Sequence, residues 1–301
     1  MNSNYYLEFE NKFRGERDSI IKKFSSYDPL IELVIKNLES PKFIDIGCGR
    51  GEWLERWYKK VPNCWGIEND KKMADFCRSK DLNIIEGEAI DSLKAISSNS
   101  ISVITIFHMI EHLEYLELIT LLAECHRVLK GSGILIIETP SIDNLLVSAK
   151  NFYIDHTHIT HINPDGLSFA IEYIGFLNVK NFYIHSGPLY QDSHLKMTRI
   201  FNGIAEDILF IATKDESLSK LIFYDDISWQ SELDIGITTL QAAIDFDLNH
   251  EQVLNNIRLK VSELEENRFQ NVEYASNFSE MKQELSSLKS QLRYVFILIK
   301  I

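Results

Sequence analysis

Cysteine is scarce in this chain, and basic charge falls short of acidic. The four cysteines, Cys48, Cys64, Cys77 and Cys125, stand apart with no C-x-x-C pair. That spacing excludes a zinc knuckle or a disulfide frame and suits reduced intracellular thiols. Lysine and arginine number 31 against 44 acidic residues, a net charge of −13. From residue 251 onward seven basic residues meet seven acidic ones, so the whole acidic surplus lies in the first 250. An acidic domain is poorly matched to a phosphate backbone, so no nucleic-acid partner is expected. Long apolar runs are missing too, and none reaches the ~20 residues of a membrane span. The start, Met1-Asn2-Ser3-Asn4-Tyr5-Tyr6, lacks the basic segment and apolar core of a secretory signal, and a cytoplasmic location is expected. What remains is 301 residues with 45% hydrophobic content, enough for one ample globular domain and an appendage.

Glycine is sparse overall but concentrated at one place. An apolar strand over 42–46 reaches Asp45 and breaks into Gly47, Cys48, Gly49, Arg50 and Gly51, after which Trp53, Leu54 and Trp57 fall at helical spacing. Strand, glycine turn and helix make the first unit of a nucleotide-binding α/β sheet, where small residues admit a ligand to the backbone. The spacing is G-x-G-x-G rather than the dinucleotide G-x-G-x-x-G. A second strand, 64–68, ends in Glu68, placed to take both hydroxyls of a ribose.

Apolar periodicity predicts helices over 4–40, 51–60, 70–79, 114–129 and 164–175. It predicts strands over 83–86, 101–106 and 134–137, and near 179–185 and 207–213. Alternating strands and helices predict a parallel sheet covered on both faces. Beyond residue 250, Leu254, Ile257, Val261 and Leu264 recur at heptad spacing, as do Met281, Leu285, Leu288, Leu292, Val295 and Ile299. The register breaks between the blocks, with Arg268 and Asn271 on the seam. A coiled coil holding a dimer or trimer is expected, about 74 Å long if 251–299 were one helix. The apolar tip, 294–301, either packs in that bundle or touches a membrane or partner.

The loop Asp45-Ile46-Gly47-Cys48-Gly49 with Glu68 in register resembles motif I of the class I S-adenosylmethionine-dependent methyltransferases. The resemblance implies a seven-stranded, Rossmann-like α/β sheet that binds S-adenosylmethionine. It places Asp45 near the methionine ammonium, Gly47, Cys48 and Gly49 around the methionine part, and Glu68 on the ribose. Asn69, Glu88 and Ala89 fall beside adenine, with Phe107 and His108 against the cofactor. His108-Met109-Ile110-Glu111-His112 also matches the inverted zinc-protease pattern H-x-x-E-H. That chemistry needs the pattern inside a helix with a downstream carboxylate ligand. Here the residues cap a strand, and no metal is expected from them.

The segment Asn151-Phe152-Tyr153-Ile154-Asp155-His156-Thr157-His158 is the most polar apparatus. A sugar hydroxyl does not ionise unaided at neutral pH, and a neutral histidine held by a carboxylate is the expected helper. Asp155 with His158 is the preferred catalytic pair, His112 the reserve, while Glu111, Tyr153 and Tyr190 face the substrate. Phe13-Arg14-Gly15-Glu16-Arg17, Phe107 to Leu113, Glu138-Thr139-Pro140-Ser141 and Phe152-Tyr153 through His158 together resemble bacterial methyltransferases of surface-polysaccharide assembly, including O-antigen chain-terminating enzymes. Such a resemblance implies a cytoplasmic enzyme, at the inner membrane face, that methylates the terminal sugar of a lipid-linked glycan. Its C-terminal coil would bring oligomerisation and contact with a glycosyltransferase or polymerase. His156 departs from that pattern, standing where related sequences often carry proline. The expected organisation is an N-terminal helical lid (1–40) in which Arg14 meets the methionine carboxylate, a methyltransferase domain (41–215), a helical linker (216–250) and the coil (251–301). A small-molecule methyltransferase, or a cofactor-binding scaffold that recruits a glycosyltransferase, are the alternatives.

Overall fold

The run Phe43–Ile46 is buried along its whole length, as a strand covered on both faces must be. It is β1 in a computed structural model that describes residues 5–36, 38–268 and 281–290. The other strands are β2 (Cys64–Glu68), β3 (Asn83–Glu86), β4 (Ile101–Phe107), β5 (Leu129–Pro140), β6 (Asn178–Ser186) and β7 (Ala205–Thr213). They form one sheet in the order β3-β2-β1-β4-β5-β7-β6. β1 to β5 pair in parallel, whereas β7 runs antiparallel to both β5 and β6. The sheet is therefore mixed, not wholly parallel as the β–α alternation predicts. The physical reason lies in residues 187–204, which hold only the one-turn helix Thr198–Asn202. That return is too slight for the crossover a parallel neighbour needs.

The helices are α1 (Tyr5–Phe13), α2 (Arg17–Lys23), α3 (Asp28–Ile35), α4 (Glu52–Trp57), α5 (Lys71–Arg78), α6 (Ala89–Lys94), α7 (Tyr115–Val128), α8 (Pro164–Ile174), α9 (Thr198–Asn202), α10 (Glu216–Lys220) and α11 (Thr239–Arg268). Local chemistry sets their ends. Asp70 caps α5 by accepting from the Lys72 and Met73 amides, Glu114 and Glu117 make a capping box on α7, and Asn163 precedes Pro164 at the start of α8. Residues 4–40 are not one helix but three, because Gly15 takes φ +98° between α1 and α2.

One face of the sheet is filled by Phe24, Tyr27, Leu30, Trp53, Trp57 and Phe107. The other is filled by Leu118, Leu121, Leu122 and Cys125 of α7 with Leu167 and Ile171 of α8. Leu121 is wholly buried, and truncating such a residue costs about 2–5 kcal/mol. Residues 216–243 belong to this domain rather than to a linker. Ile222, Phe223, Trp229 and Leu233 are buried in its core, and the Trp229 indole donates to the Ile222 carbonyl at 2.8 Å. The chain divides into a unit to Ala243 and a second from Ile244.

In the second unit, Ile257, Val261 and Leu264 are half-buried, as are Met281, Leu285 and Leu288 in the helix over 281–290. Val253, Ile257 and Lys260 line one cleft of about 410 Å³ with Glu284, Ser287 and Leu288. In a single continuous helix Ile257 and Leu288 would stand ~46 Å apart. The two described helical segments thus lie side by side, and the ~74 Å length of a single continuous helix does not apply. Seam positions Asn271, Leu292, Val295 and Ile299, and the tip 294–301, lie outside the described residues. Among the described residues no helix is long and apolar enough to cross a membrane.

Candidate active site

In an open α/β sheet a ligand crosses the carboxyl ends of the strands. Here that edge carries a cavity of about 500 Å³ lined by Arg14, Gly47, Gly49, Glu68, Asn69, Glu88, Ala89, His108 and Met109, among others. Gly47 and Gly49 hold φ +68° and +52°, a region that side chains with a Cβ resist. A Cβ on Gly47 would also fall 2.6 Å from the Met109 Cγ, so the floor of the cavity needs glycine twice over. Glu68 accepts from the Gly49 amide through one oxygen and from the Asp70 amide through the other, each at 2.9 Å. It therefore clasps the glycine loop as well as lining the cavity. Asp45 lies beneath, buried, and accepts from the Thr105 hydroxyl at 2.7 Å. Burial raises its pKa to about 7, against the opposing pull of Thr105 and Arg14.

Arg14 arrives from the end of α1, bonded to Glu10 at 3.0 Å, and its guanidinium sits over Gly49. Burial opposes its charge, but Glu10, Glu52 and Asp45 outweigh that and raise its pKa. Arg50 fixes the arrangement. It is buried, pairs with Glu52 at 2.8 Å and donates to the Gly15 carbonyl at 3.2 Å. Arg17 donates to the Arg50 carbonyl at 2.6 Å and pairs with Glu55. Arg14 is thus the arginine that faces the cavity, and Arg17 fastens the lid.

A second cavity of about 400 Å³ shares Glu10, Arg14, His108 and His112 with the first and opens between α1 and the segment 147–158. Phe9, Phe13, Phe24 and Phe152 supply apolar lining, and Asp155, His158, Glu138, His185 and Asp207 supply polar groups. His108 meets Glu138 at 3.1 Å, and His185 meets Asp207 at 2.8 Å. Tyr27 donates to the other Glu138 oxygen. Burial pushes the Glu138 pKa up, but His185, His108 and Tyr27 outweigh it and hold it at about 2. Burial opposes protonation of both histidines, yet the surrounding carboxylates raise both. His108 and His185 both take left-handed backbone, at φ +50° and +58°, a strain of about 1–3 kcal/mol each that clusters at functional sites.

His112 and His158 stand together on another wall, ring centroids 4.6 Å apart. The catalytic link differs from the expected one. The His158 Nδ1 is held by the Phe152 carbonyl at 2.7 Å, whereas Asp155 reaches His112 through Thr157. The Thr157 hydroxyl donates to Asp155 at 2.6 Å and so accepts from the His112 Nδ1 at 2.8 Å. Glu111 is wholly buried beside them on a single turn rather than a helix.

Four expected contacts fall elsewhere. The Cys48 thiol packs beneath the loop, where a Cβ on Gly66 would meet it at 2.5 Å. Phe107 is core, its ring within 4.6–5.6 Å of Phe24, Trp53 and Tyr27, because the last residue of β4 points inward. Tyr153 is 64% exposed and packs edge-on against Phe152 and His161. Tyr190 lines neither cavity; its ring supports Arg199 at 5.5 Å. Asn69 meets Glu88 at 3.4 Å on the cofactor side, and Ala89 begins α6 there. The residues that sequence reasoning misses are Thr105, Met109, Thr157, Tyr27, His185 and Asp207. Only Asp207, one of two adjacent acids at the start of an apolar strand, carries a signal of its own.

A seven-stranded sheet with one antiparallel member, a glycine loop after β1 and an acid ending β2 defines an adenosyl-binding methyltransferase class. The family described as "Methyltransferase domain" matches residues 44–137. A solved SAM-dependent methyltransferase from Archaeoglobus fulgidus is 30% identical, with a TM-score of 0.60, over 69% of this chain and 99% of its own. Two probable S-adenosylmethionine-dependent methyltransferases from Mycobacterium tuberculosis strains are 25% identical over 150 residues. That match takes in 50% of this chain and 53% of theirs, so the chain spans about half the length of those relatives. The chain belongs to the S-adenosylmethionine-dependent methyltransferases, and S-adenosylmethionine is its cofactor.

The residues present fit that group. An ammonium wants the Asp45 carboxylate, a carboxylate wants Arg14, and a ribose wants Glu68. The glycine floor leaves room that any Cβ would take. When bound, the cofactor supplies an electrophilic methyl on a sulfonium. The chain's own residues that would grip its polar ends are Asp45, Arg14 and Glu68, and the second cavity adjoins at His108.

Proposed function

We propose that the chain methylates a hydroxyl of a sugar, the terminal residue of a lipid-linked surface glycan, and so ends its growth. The observation that carries this reading is the second cavity. It adjoins the cofactor cavity through His108 and His112 and is walled by aromatic rings and hydrogen-bonding groups, the lining a sugar face and its hydroxyls prefer. Its corner at His112 and His158, with Glu111 buried behind them, is where the acceptor oxygen is activated. Both imidazoles offer Nε2 because their Nδ1 atoms are held by Thr157 and Phe152. The transfer otherwise needs only alignment of acceptor oxygen, methyl and leaving sulfur, which two adjoining cavities provide.

The second unit, with its half-buried stripe through Ile257, Val261 and Leu264, is read as a homo-oligomerising element that also docks a glycosyltransferase. The enzyme then works in the cytoplasm at the inner membrane face. Methyl-labelled cofactor, offered with purified glycans and with a panel of small hydroxylated compounds, tests the reading. Label in a glycan, as an O-methyl ether, supports it. Label confined to small compounds assigns a small-molecule enzyme, and cofactor binding without transfer to any acceptor leaves only a scaffold.

A further inference from the structure

We propose that His112 and His158, which line the acceptor cavity, and Glu111, buried behind them, bind one divalent transition-metal cation. One atom from each, a carboxylate oxygen and two ring nitrogens, lies within 4.8 Å of the others. The Glu111 Oε1 stands 3.9 Å from the His158 Nε2. Donor atoms on one ion at ~2.1 Å stand ~3–3.5 Å apart, so the three need to close by at most about 1.3–1.8 Å.

Each donor is held from behind, as metal ligands are. Thr139 donates to the Glu111 Oε2 at 3.1 Å. The Phe152 carbonyl takes the His158 Nδ1 proton, and Thr157, its own proton committed to Asp155, takes that of His112. Both rings are thereby fixed as the tautomer with a lone pair on Nε2. The independent sign is Glu111 itself. Its side chain is wholly buried, yet Oε1 makes no hydrogen bond. A buried carboxylate oxygen left in that state is costly unless something cationic fills the gap. The closest candidate, the His108 Nδ1, stands 3.6 Å away, beyond hydrogen-bond reach, while the Nε2 of the same ring meets Glu138 at 3.1 Å.

The companion cluster of His108, Glu138 and Asp207 also has ligand types within reach. Its atoms are spent on one another, on His185 and on Tyr27, and it carries no such gap. The expectation of no metal at Glu111 and His112 rested on protease geometry, with both histidines on one helix. His158, from a different segment, replaces that helical partner.

Two imidazoles and one carboxylate suit zinc, manganese, iron(II) or cobalt, and three protein ligands leave positions open toward the cavity. The ion site stands on the geometry alone. Its role, holding the acceptor hydroxyl and favouring loss of its proton, rests on the reading given above.

The test uses the full chain, loaded with S-adenosylhomocysteine, stripped with chelator and titrated with Mn²⁺ under electron paramagnetic resonance. One ion per chain is expected, with affinity lowered at least about tenfold in Glu111→Gln and again in His158→Gln. S-adenosylhomocysteine affinity, unchanged in both variants, shows that they fold. Equal Mn²⁺ binding by the variants, or none by the parent, overturns the site. Hydroxyl methylation that persists undiminished in chelator with no ion bound overturns the ion's role in activating the acceptor, while leaving the hydroxyl reading intact. An ion bound through the three residues, with no hydroxyl acceptor found, upholds the site and removes that reading.

Discussion

The two cavities differ in how they are built. The cofactor side is made by short stretches at two neighbouring strand ends, with Asp45 in β1 beneath it, Gly47 and Gly49 after β1 and Glu68 closing β2. The acceptor side is assembled from α1, the ends of β4, β5 and β6, the start of β7 and the segment 147–158. One is a local device that any acceptor chemistry can reuse. The other exists only when distant parts of the chain have met, and it is where this protein's particular chemistry resides.

The sharpest way to break that contrast is to cut the cofactor side at its clasp. Glu68→Ala removes the acceptor for the Gly49 and Asp70 amides together with the group facing the ribose. Two lost charge-assisted hydrogen bonds are worth about 3 kcal/mol or more, so S-adenosylhomocysteine affinity by calorimetry is expected to fall ~100-fold. An unchanged affinity would move the cofactor away from β2.

Acidity offers a gentler lever on the same side. Burial lifts the Asp45 pKa to about 7, so its carboxyl is ionised above that pH and protonated below it. A cationic ammonium needs the ionised form. Affinity should be flat near pH 8 and fall by up to about tenfold for each unit below 7, with proton release on binding at the acid end. A profile flat down to pH 6 would place the ammonium elsewhere. Smallest of all is Tyr153→Ala. This ring is 64% exposed, so stability should change by less than about 0.5 kcal/mol and turnover by less than ~twofold. A larger loss of turnover would return Tyr153 to the substrate.

The same contrast explains what could be read in advance. Glu68, Gly47 and Gly49 were legible because their spacing along the chain is their spacing in the site. Arg14 was legible as a lid residue, and the structure sets it over Gly49 through the Arg50 and Gly15 contact. Asp207 was not, and the antiparallel strand is the cause. In a parallel sheet the start of β7 would lie at the opposite edge from the active site. Its reversal pairs Asp207 with Pro140, bringing that carboxylate to the carboxyl end of β5. Tyr27 was hidden for a related reason, since a tyrosine amid a helical apolar pattern reads as packing until Glu138 is found against it. Phe107 shows the reverse error. Its place after an apolar strand matched a cofactor contact, but strand alternation turned the ring into the core and left His108 and Met109 to line the cavity.

His158→Ala, assayed for S-adenosylhomocysteine binding and for methyl transfer in the same preparation, puts the division between the cavities to its most direct trial. Because His158 lines the acceptor cavity and not the cofactor cavity, binding should be unchanged while transfer falls ~10²–10⁴-fold. Undiminished transfer, or binding lost in step with it, would contradict the account.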